Sequence, residues 1–583
     1  MTSQVAESGT GPMPVEALRG VRAYATPGWP GPIDLFLDGN EGVEPDAAAV
    51  DRLGDAGTDV LRRYPSTREL EARIAEDHGV DASRVLVTAG ADEAIDRVCR
   101  AMLGPDRSLV VPTPTFEMLP RYARLTGAAV VSPAWDDGPF PLDAVLGAID
   151  STTGVVGLVS PNNPTGLAIS SEVLERVSAA ASDAVVLLDH AYVEFADEDL
   201  TSAALRLPNV VVTRTMSKAW GLAGLRVGYA VGAADVIGWL RPAGGPYSVA
   251  GPSLAIASDL LDRGRGDVDG FVGRVARDRG VIAEAARRVG GRPTASQGNF
   301  VFARFGDAAW TRDALAGLGV KVRGYPSVAG LGDALRITCP GDAGAAGRVV
   351  AGLEAALRPE AMLFDLDGVL VDVSGSYRAA IRAAAATCGV EVTPEQIGRM
   401  KARGNANNDW DVTLRLLTEA GVETTRDAVI ERFEAAYQGV DGQPGLKATE
   451  RAIIDRAWLE RVRTSLPMGI VTGRPRADAM EALERFGIAD LFDAILCMED
   501  GPSKPEPDVV RVCMDRLGVK RAWMIGDTVD DIRAARAAGV VPIGVVPPGE
   551  HAEVARGALA GAGAARVLAV VDGLAAMLEG VAR

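Results

Sequence analysis

The chain has 583 residues, of which 48% are hydrophobic and 24% charged, and its net charge at pH 7 is −18. The length equals about four domain-lengths of 150 residues, and the composition is that of a globular protein with sizeable cores, which excludes a disordered or fibrous chain. The acidic balance argues against a nucleic-acid surface as main partner, because phosphate-backbone binding relies on Lys and Arg; a cofactor phosphate needs only a local positive site.

Residues 1–40 read as an N-terminal arm. Its first twelve residues carry neither a basic n-region nor an apolar h-region. From 41 to 250, short apolar runs alternate with helical stretches. Arg84–Thr88, Ser108–Val111, Ala128–Val131, Val155–Ser160, Ala184–Leu188, Val210–Thr213 and Arg226–Val231 read as strands, with helices such as Asp92–Met102 and Ser171–Ala181 between them. That alternation predicts α/β layers around a mostly parallel sheet. Over 251–358 an arginine-rich helical segment leads to strands at Gly298–Arg304, Val320–Arg323 and Ala334–Thr338 and a helix at Ala343–Leu357, a smaller α+β domain. The linker Arg358-Pro359-Glu360 is too short for free swinging, so the two halves should abut.

A second α/β pattern occupies 361–373 and 458–583, with strands at Met468–Thr472, Ala494–Met498, Trp523–Gly526 and Val541–Val545; a largely helical insert, 374–457, interrupts it. Apolar runs such as Val540–Val546 are far shorter than the roughly 20 residues of a membrane-spanning helix. The cysteines Cys99, Cys339, Cys388, Cys497 and Cys513 form no CxxC pair, which suits a reducing cytoplasm and argues against a disulfide framework or a thiolate zinc site. His78, His190 and His551 are too few for a histidine-built metal cluster.

Chemistry that uses a lysine amine has few candidates: Lys218, Lys321, Lys401, Lys447, Lys504 and Lys520. Lys218 stands in Arg214-Thr215-Met216-Ser217-Lys218, just after a strand, with Arg226 eight residues on. An amine flanked by hydroxyls and an arginine suits a phosphorylated aldehyde cofactor: the amine condenses with the aldehyde, while Ser217 and Arg226 bind phosphate oxygens. Ser160-Pro161-Asn162-Asn163-Pro164-Thr165-Gly166 and Leu188-Asp189-His190-Ala191-Tyr192 each follow a neighbouring strand.

With these motifs, roughly residues 15–357 resemble the fold-type I pyridoxal-phosphate aminotransferases, most closely the histidinol-phosphate aminotransferase branch. The resemblance implies pyridoxal 5′-phosphate as cofactor, with Asp189 pairing with the pyridine nitrogen and Asn163 and Tyr192 bonding the ring oxygen. Phe116 would stack on the ring, backbone N–H groups at Ala91 and Asp92 would hold the phosphate, and Tyr64 would reach it from a partner subunit, which implies a homodimer. Arg323 and Arg336 would bind anionic substrate groups, and Tyr24, with Asn40-Glu41, would belong to a lid. Phe116 stands where the family commonly has tyrosine, and His190 where the branch commonly has glutamate.

In the second half, Phe364-Asp365-Leu366-Asp367-Gly368 places two carboxylates at i and i+2 at a strand end, where open α/β sheets bind ligands. Asp365 could attack phosphorus, and Asp367 could protonate the leaving oxygen and later activate water. Gly526-Asp527-Thr528-Val529-Asp530-Asp531 adds acids after another strand; gathered carboxylates need a hard cation, Mg²⁺. Thr472 offers a hydroxyl for phosphate and Lys504 a balancing charge.

Residues 361–583 thus resemble the haloacid dehalogenase superfamily of phosphatases, a Rossmann-like core with a helical cap inserted after the first motif. The resemblance implies that Asp365, Asp527 and the backbone carbonyl of Asp367 hold Mg²⁺, with Asp531 orienting them and Asp530 as readily a solvated neighbour. Arg403, Asn407 and Asn408 of the cap are candidate selectors of substrate.

Together the resemblances imply a bifunctional enzyme. One half transaminates a phosphorylated keto metabolite of the imidazole-acetol phosphate type with glutamate as donor, and the other hydrolyses the aminated phosphate ester. Three alternatives stand beside it: the same two reactions on another metabolite, a decarboxylase of the phosphothreonine type in the first half, or a second half without catalysis.

Overall fold

The computed structural model describes residues 14–19, 21, 23, 28–44, 51, 54, 57–440, 442–574 and 577–578. Tyr24 lies outside the described residues.

The first half is built on a seven-stranded sheet in the order Val85–Thr88, Gly228–Gly232, Val210–Thr215, Val185–Asp189, Thr153–Val159, Ser108–Val110, Ala129–Val131. All neighbours are parallel except Gly228–Gly232, which is antiparallel to both strands beside it. Thr153–Val159 and Val185–Asp189 are buried along their whole length, as expected for strands covered by helices on both faces. This architecture puts the C-terminal ends of the parallel strands, with the loops that follow them, at one edge.

A five-stranded sheet follows in the order Leu35–Leu37, Val320–Gly324, Ala334–Thr338, Phe300–Arg304, Arg292–Pro293. Leu35–Leu37, assigned to the N-terminal arm from the sequence, is the edge strand of this sheet, paired in parallel with Val320–Val322. Three residues with a single buried side chain give no local strand signal, and only the distant partner defines them.

The second half has a six-stranded parallel sheet, Ala494–Leu496, Met468–Val471, Ala361–Phe364, Ala522–Gly526, Val541–Val545, Arg566–Leu568. The helices Tyr377–Thr387, Pro394–Ala402, Asp409–Glu419 and Arg426–Gln438 form the insert. Its two connections to the core meet as a short antiparallel pair, Val371–Asp372 with Arg451–Ala452. No helix among the described residues is long and apolar enough to cross a membrane.

The halves abut, and they share a core. Trp310, in the helix Ala308–Gly317, and Trp523, in the central strand Ala522–Gly526, are both buried and meet edge to face with centroids 4.8 Å apart. Each indole N–H donates to the C-terminal turn of the helix Ala343–Leu357: Trp310 to the Ala356 carbonyl at 3.0 Å, and Trp523 to the Ala355 carbonyl at 2.8 Å. Satisfying both donors is what allows two tryptophans to be buried together. At the rim, Arg566 pairs with Asp313, Arg521 with Glu354 and Arg536 with Asp34.

Trp523→Ala should lower stability by about 3–5 kcal/mol, the usual cost of deleting a buried aromatic. Because the cavity opens between the halves, urea unfolding should show both sheets losing protection at a lower midpoint. An unchanged midpoint would contradict the shared core.

Candidate active sites

The first site is a cavity of about 580 Å³ at the C-terminal edge of the seven-stranded sheet, closed on its other side by the five-stranded sheet. Lys218, Asp189, Asn163, Tyr192, Phe116, Ala91, Asp92, Ser217, Arg226, Arg323 and Arg336 all line it. Tyr64 does not: it is 82% exposed and stacks on Tyr247 at 4.7 Å.

The lysine projects across the cavity, where its Nζ donates to the Gly39 carbonyl at 3.2 Å. Burial, and then the Arg336 guanidinium, bring its pKa down to about 8, so much of it is a neutral nucleophile near that pH. Asp189, at the end of its strand, is pushed up to about 7 by burial and then by Asp92, against bonds from the Ala191 N–H and the Thr213 hydroxyl. A buried carboxylate so destabilised favours a cationic partner, such as a protonated ring nitrogen.

Where a phosphate would sit, the helix Gly90–Met102 opens with free N–H groups at Ala91 and Asp92. Arg226 donates to Ser217 Oγ at 3.3 Å and pairs with Asp92 at 2.9 Å. Gly90 has φ +78°, and a Cβ there would meet the Arg226 guanidinium at 2.6 Å, so only glycine lets arginine and helix N-terminus converge.

Register places Arg323 opposite Arg336 on adjacent strands. Arg336 donates to two neutral acceptors, Asn163 Oδ1 at 2.7 Å and the Asp38 carbonyl at 2.6 Å, so its charge is not cancelled by a carboxylate there. Arg323 has a 3.6 Å contact with exposed Glu117 and lies 5.9 Å from the centroid of the Tyr325 ring. Tyr192 Oη accepts from Asn40 Nδ2 at 3.0 Å, which leaves its hydroxyl proton free to point into the cavity. Among the lining residues without a role in the sequence reading are Lys321 and Asp38, ion-paired at 3.0 Å. The cavity, the paired guanidinium groups, the buried acid and the N-terminal cradle fit a phosphorylated aldehyde cofactor.

The second site lies at the C-terminal ends of Ala361–Phe364 and Ala522–Gly526. Asp365, Asp527 and Asp531 are buried, with carboxylate oxygens within 4.8 Å of one another. Lys504 Nζ donates to Asp365 at 2.8 Å, to Asp531 at 2.5 Å and to the Val471 carbonyl at 2.9 Å. Burial opposes the lysine's charge, but Asp365 and Asp531 outweigh that and hold its pKa above the usual value.

Even so the cluster is overloaded with negative charge. Burial raises Asp365 to about 7 despite Lys504, and burial together with Asp365 and Asp531 raises Asp527 well above the carboxylate range. Asp527 Oδ1 is buried without a hydrogen-bond partner. An orphaned oxygen in a triad of hard oxygen donors fits a divalent cation such as Mg²⁺.

Thr472 is buried beside this cluster, its Oγ1 accepting from the Arg474 N–H. Asp367 keeps a side chain 26% exposed and is gripped by Arg474. Asp530 is not a solvated neighbour. It is buried, and its carboxylate accepts from the backbone N–H groups of Asn405 at 2.8 Å and Ala406 at 2.7 Å, docking the insert on the core. Of the insert residues, Asn407 lies against Gly473. Asn408 instead caps the helix Asp409–Glu419, and Arg403 pairs with Glu419 at the surface. Arg378, without a role in the sequence reading, reaches Asp527 at 3.6 Å and lines a cavity of about 620 Å³ between insert and core, as does Lys401.

The aminotransferase class I and II family matches residues 37–351, more than half of the chain. The chain belongs to that family. Residues 362–545 match the haloacid dehalogenase-like hydrolases, so the second half is a hydrolase domain fused to the first. The histidinol-phosphate aminotransferase of Jannaschia sp. is 36% identical over 320 residues, which cover 52% of this chain and 86% of that protein. An imidazoleglycerol-phosphate dehydratase of Phytophthora nicotianae is 44% identical over 202 residues, 33% of this chain; the match spans only 45% of that relative. The histidinol-phosphate aminotransferase of Sinorhizobium meliloti, solved with pyridoxal-5′-phosphate, shares the fold with a TM-score of 0.53 and 23% identity, over 60% of this chain and 99% of its own.

Mg²⁺ at a hundred times its Kd should stabilise the protein by about 2.7 kcal/mol, read as a higher melting midpoint. Asp527→Asn should melt higher than the wild type in chelator, because the cost of burying a carboxyl that its surroundings hold protonated is gone, and should respond little to Mg²⁺. An equal Mg²⁺ response in both proteins would contradict the cation site.

Proposed function

We propose that the chain is a bifunctional enzyme. Its first half transaminates a phosphorylated keto metabolite of the imidazole-acetol phosphate type with glutamate, and its second half hydrolyses the aminated phosphate ester in the presence of Mg²⁺. The observation that carries the reading is Arg323 opposite Arg336 in the cavity that Lys218 enters. Two guanidinium groups provide sites for two anions, the carboxylate of the donor and the phosphate of the acceptor, by charge-assisted hydrogen bonds. The similarity to a histidinol-phosphate aminotransferase and to an imidazoleglycerol-phosphate dehydratase supports the same substrate class.

Bound in the first cavity, pyridoxal 5′-phosphate would supply an aldehyde for the amino group and an electron-withdrawing ring. Lys218 would condense with the aldehyde and move the proton at the substrate Cα. Asp189 would hold the pyridine nitrogen protonated, Asn163 and Tyr192 would bond the ring oxygen, and Phe116 would flank the ring. Ala91, Asp92, Ser217 and Arg226 would hold the phosphate. Tyr64, exposed and outside its own cavity, would complete that cradle in a partner subunit, making the active form a homodimer.

In the second site Asp365 attacks phosphorus while Asp367 protonates the departing oxygen; Asp367 then takes a proton from the water that frees the phosphate. Thr472 would hold a phosphoryl oxygen, and Lys504, whose three N–H groups rest on Asp365, Asp531 and the Val471 carbonyl, would offset the phosphoryl charge. Asp365, Asp527 and the Asp367 carbonyl would ligate Mg²⁺, whose charge offsets that of carboxylates and phosphate, with Asp531 kept in place by Lys504. Five free cysteines support a cytoplasmic location.

Only the neutral amine adds to a carbonyl. The rate at which cofactor-free protein takes up pyridoxal phosphate, followed by absorbance, should therefore rise with pH up to about 8 and level off above it. Lys218→Ala should lose that absorbance change, and a variant that keeps it would refute the assignment. Asp365→Asn should abolish phosphate release, and chelator should do the same, while transamination continues; phosphate release indifferent to both would exclude this phosphatase.

A further inference from the structure

Arg474 sits two residues after Thr472 with its side chain only 1% exposed. Its Nε donates to Asp367 Oδ1 at 2.6 Å, and Nη2 approaches the same oxygen at 2.5 Å. Nη2 also donates to Glu450 Oε1 at 3.1 Å, Nη1 donates to Tyr437 Oη at 3.3 Å and to Glu450 Oε2 at 3.5 Å, and the guanidinium carbon lies 4.7 Å from the centroid of the Tyr377 ring. Glu450 is fully buried and accepts in addition from Ser376 Oγ and Tyr437 Oη, each at 3.1 Å, and from Arg485.

These residues come from places that matter for the cap. Ser376 lies on the outgoing connection from core to cap, and Glu450 on the returning one, beside the paired strands Val371–Asp372 and Arg451–Ala452. One carboxylate therefore fastens both connections and, through Arg474, reaches Asp367. Both Arg474 contacts land on Asp367 Oδ1, and the partly exposed carboxyl has Oδ2 left for a ligand.

We propose that Arg474 is a positioning residue of the phosphatase: it grips Asp367 by Oδ1 so that Oδ2 faces the leaving oxygen, and Glu450, seated by both cap connections, holds Arg474 in turn. The inference rests on the phosphatase reading above. A buried guanidinium held between two carboxylates has little rotational freedom, so it fixes the acid more narrowly than packing alone could. The acid is thereby presented to substrate only while both cap connections are seated.

The step at stake is the departure of the alcohol. The Asp365 oxygen forms a bond to phosphorus, the bond from phosphorus to the ester oxygen breaks, and the proton of Asp367 Oδ2 passes to that ester oxygen. An alkoxide needs this proton; p-nitrophenolate does not, and leaves as the anion. Because kcat/KM covers only the steps up to this departure, comparing the two leaving groups isolates the placement of the acid.

The experiment measures kcat/KM of full-length protein with Mg²⁺ for histidinol phosphate and for p-nitrophenyl phosphate. In Arg474→Met the alkyl ester should lose about 100-fold, in the range of a general acid's contribution, and the aryl ester at least ten times less. Arg474→Lys, which keeps the buried charge but not the fork, should show the same selectivity at about 10-fold, as should Glu450→Gln. Should Arg474→Met fail to fold, the other two variants carry the test. Equal losses on both esters would overturn the proposal, since they mean that Arg474 binds the phosphoryl group or merely supports the fold; undiminished turnover of both would overturn it as well. If wild-type protein hydrolyses neither ester, the phosphatase reading itself falls and takes the inference with it.

Discussion

Two indole rings, Trp310 and Trp523, close a core that belongs to both halves of the chain. Their N–H groups are satisfied by the last turn of one helix, Ala343–Leu357, which ends at the three-residue linker. The central strand of the hydrolase sheet is thus anchored to the small sheet that carries Arg323 and Arg336. Fusion here is a packing constraint as well as a covalent one. Equal amounts of the two activities follow from the single chain, and a fixed arrangement of the small sheet and the hydrolase core follows from the shared core. A rate advantage from proximity does not follow from either.

Both sites obey one electrostatic rule: each leaves buried charge that protein groups do not fully balance. In the first, Asp189 is pushed toward neutrality and Arg336 spends its bonds on neutral acceptors. In the second, three carboxylates crowd one lysine and leave Asp527 Oδ1 without a partner. Such arrangements destabilise the unliganded protein and are relieved by ligands of opposite sign. The two sites differ in sign, since the first sets guanidinium groups beside one buried acid and the second gathers carboxylates around one lysine.

Much of this was legible in the amino-acid sequence because the decisive residues follow strands. Lys218, Asp189, Asn163 and Asp365 each stand within a few residues of a strand end, so local pattern and chemistry coincide. What escaped depends on distant partners. Arg474 is 107 residues from Asp367 and 24 from Glu450, and nothing near it in the chain announces either contact. Asp530 looked solvated because its two donors come from the insert, and Asn408 looked selective although it caps a helix. Leu35–Leu37 is a strand only by virtue of Val320–Val322. Tyr64 shows the limit from the other side, since in a single subunit it lies exposed and outside the cavity.

The two sites are proposed to act in sequence on one metabolite, amination before loss of phosphate. The most direct measurement is a time course of 2-oxoglutarate and inorganic phosphate from imidazole-acetol phosphate and glutamate, with wild type and Lys218→Ala in parallel. In the wild type 2-oxoglutarate should appear first and phosphate follow after a lag, and Lys218→Ala should release little phosphate from the keto substrate although it still hydrolyses histidinol phosphate. Phosphate released from the keto substrate by Lys218→Ala at the wild-type rate would contradict that order.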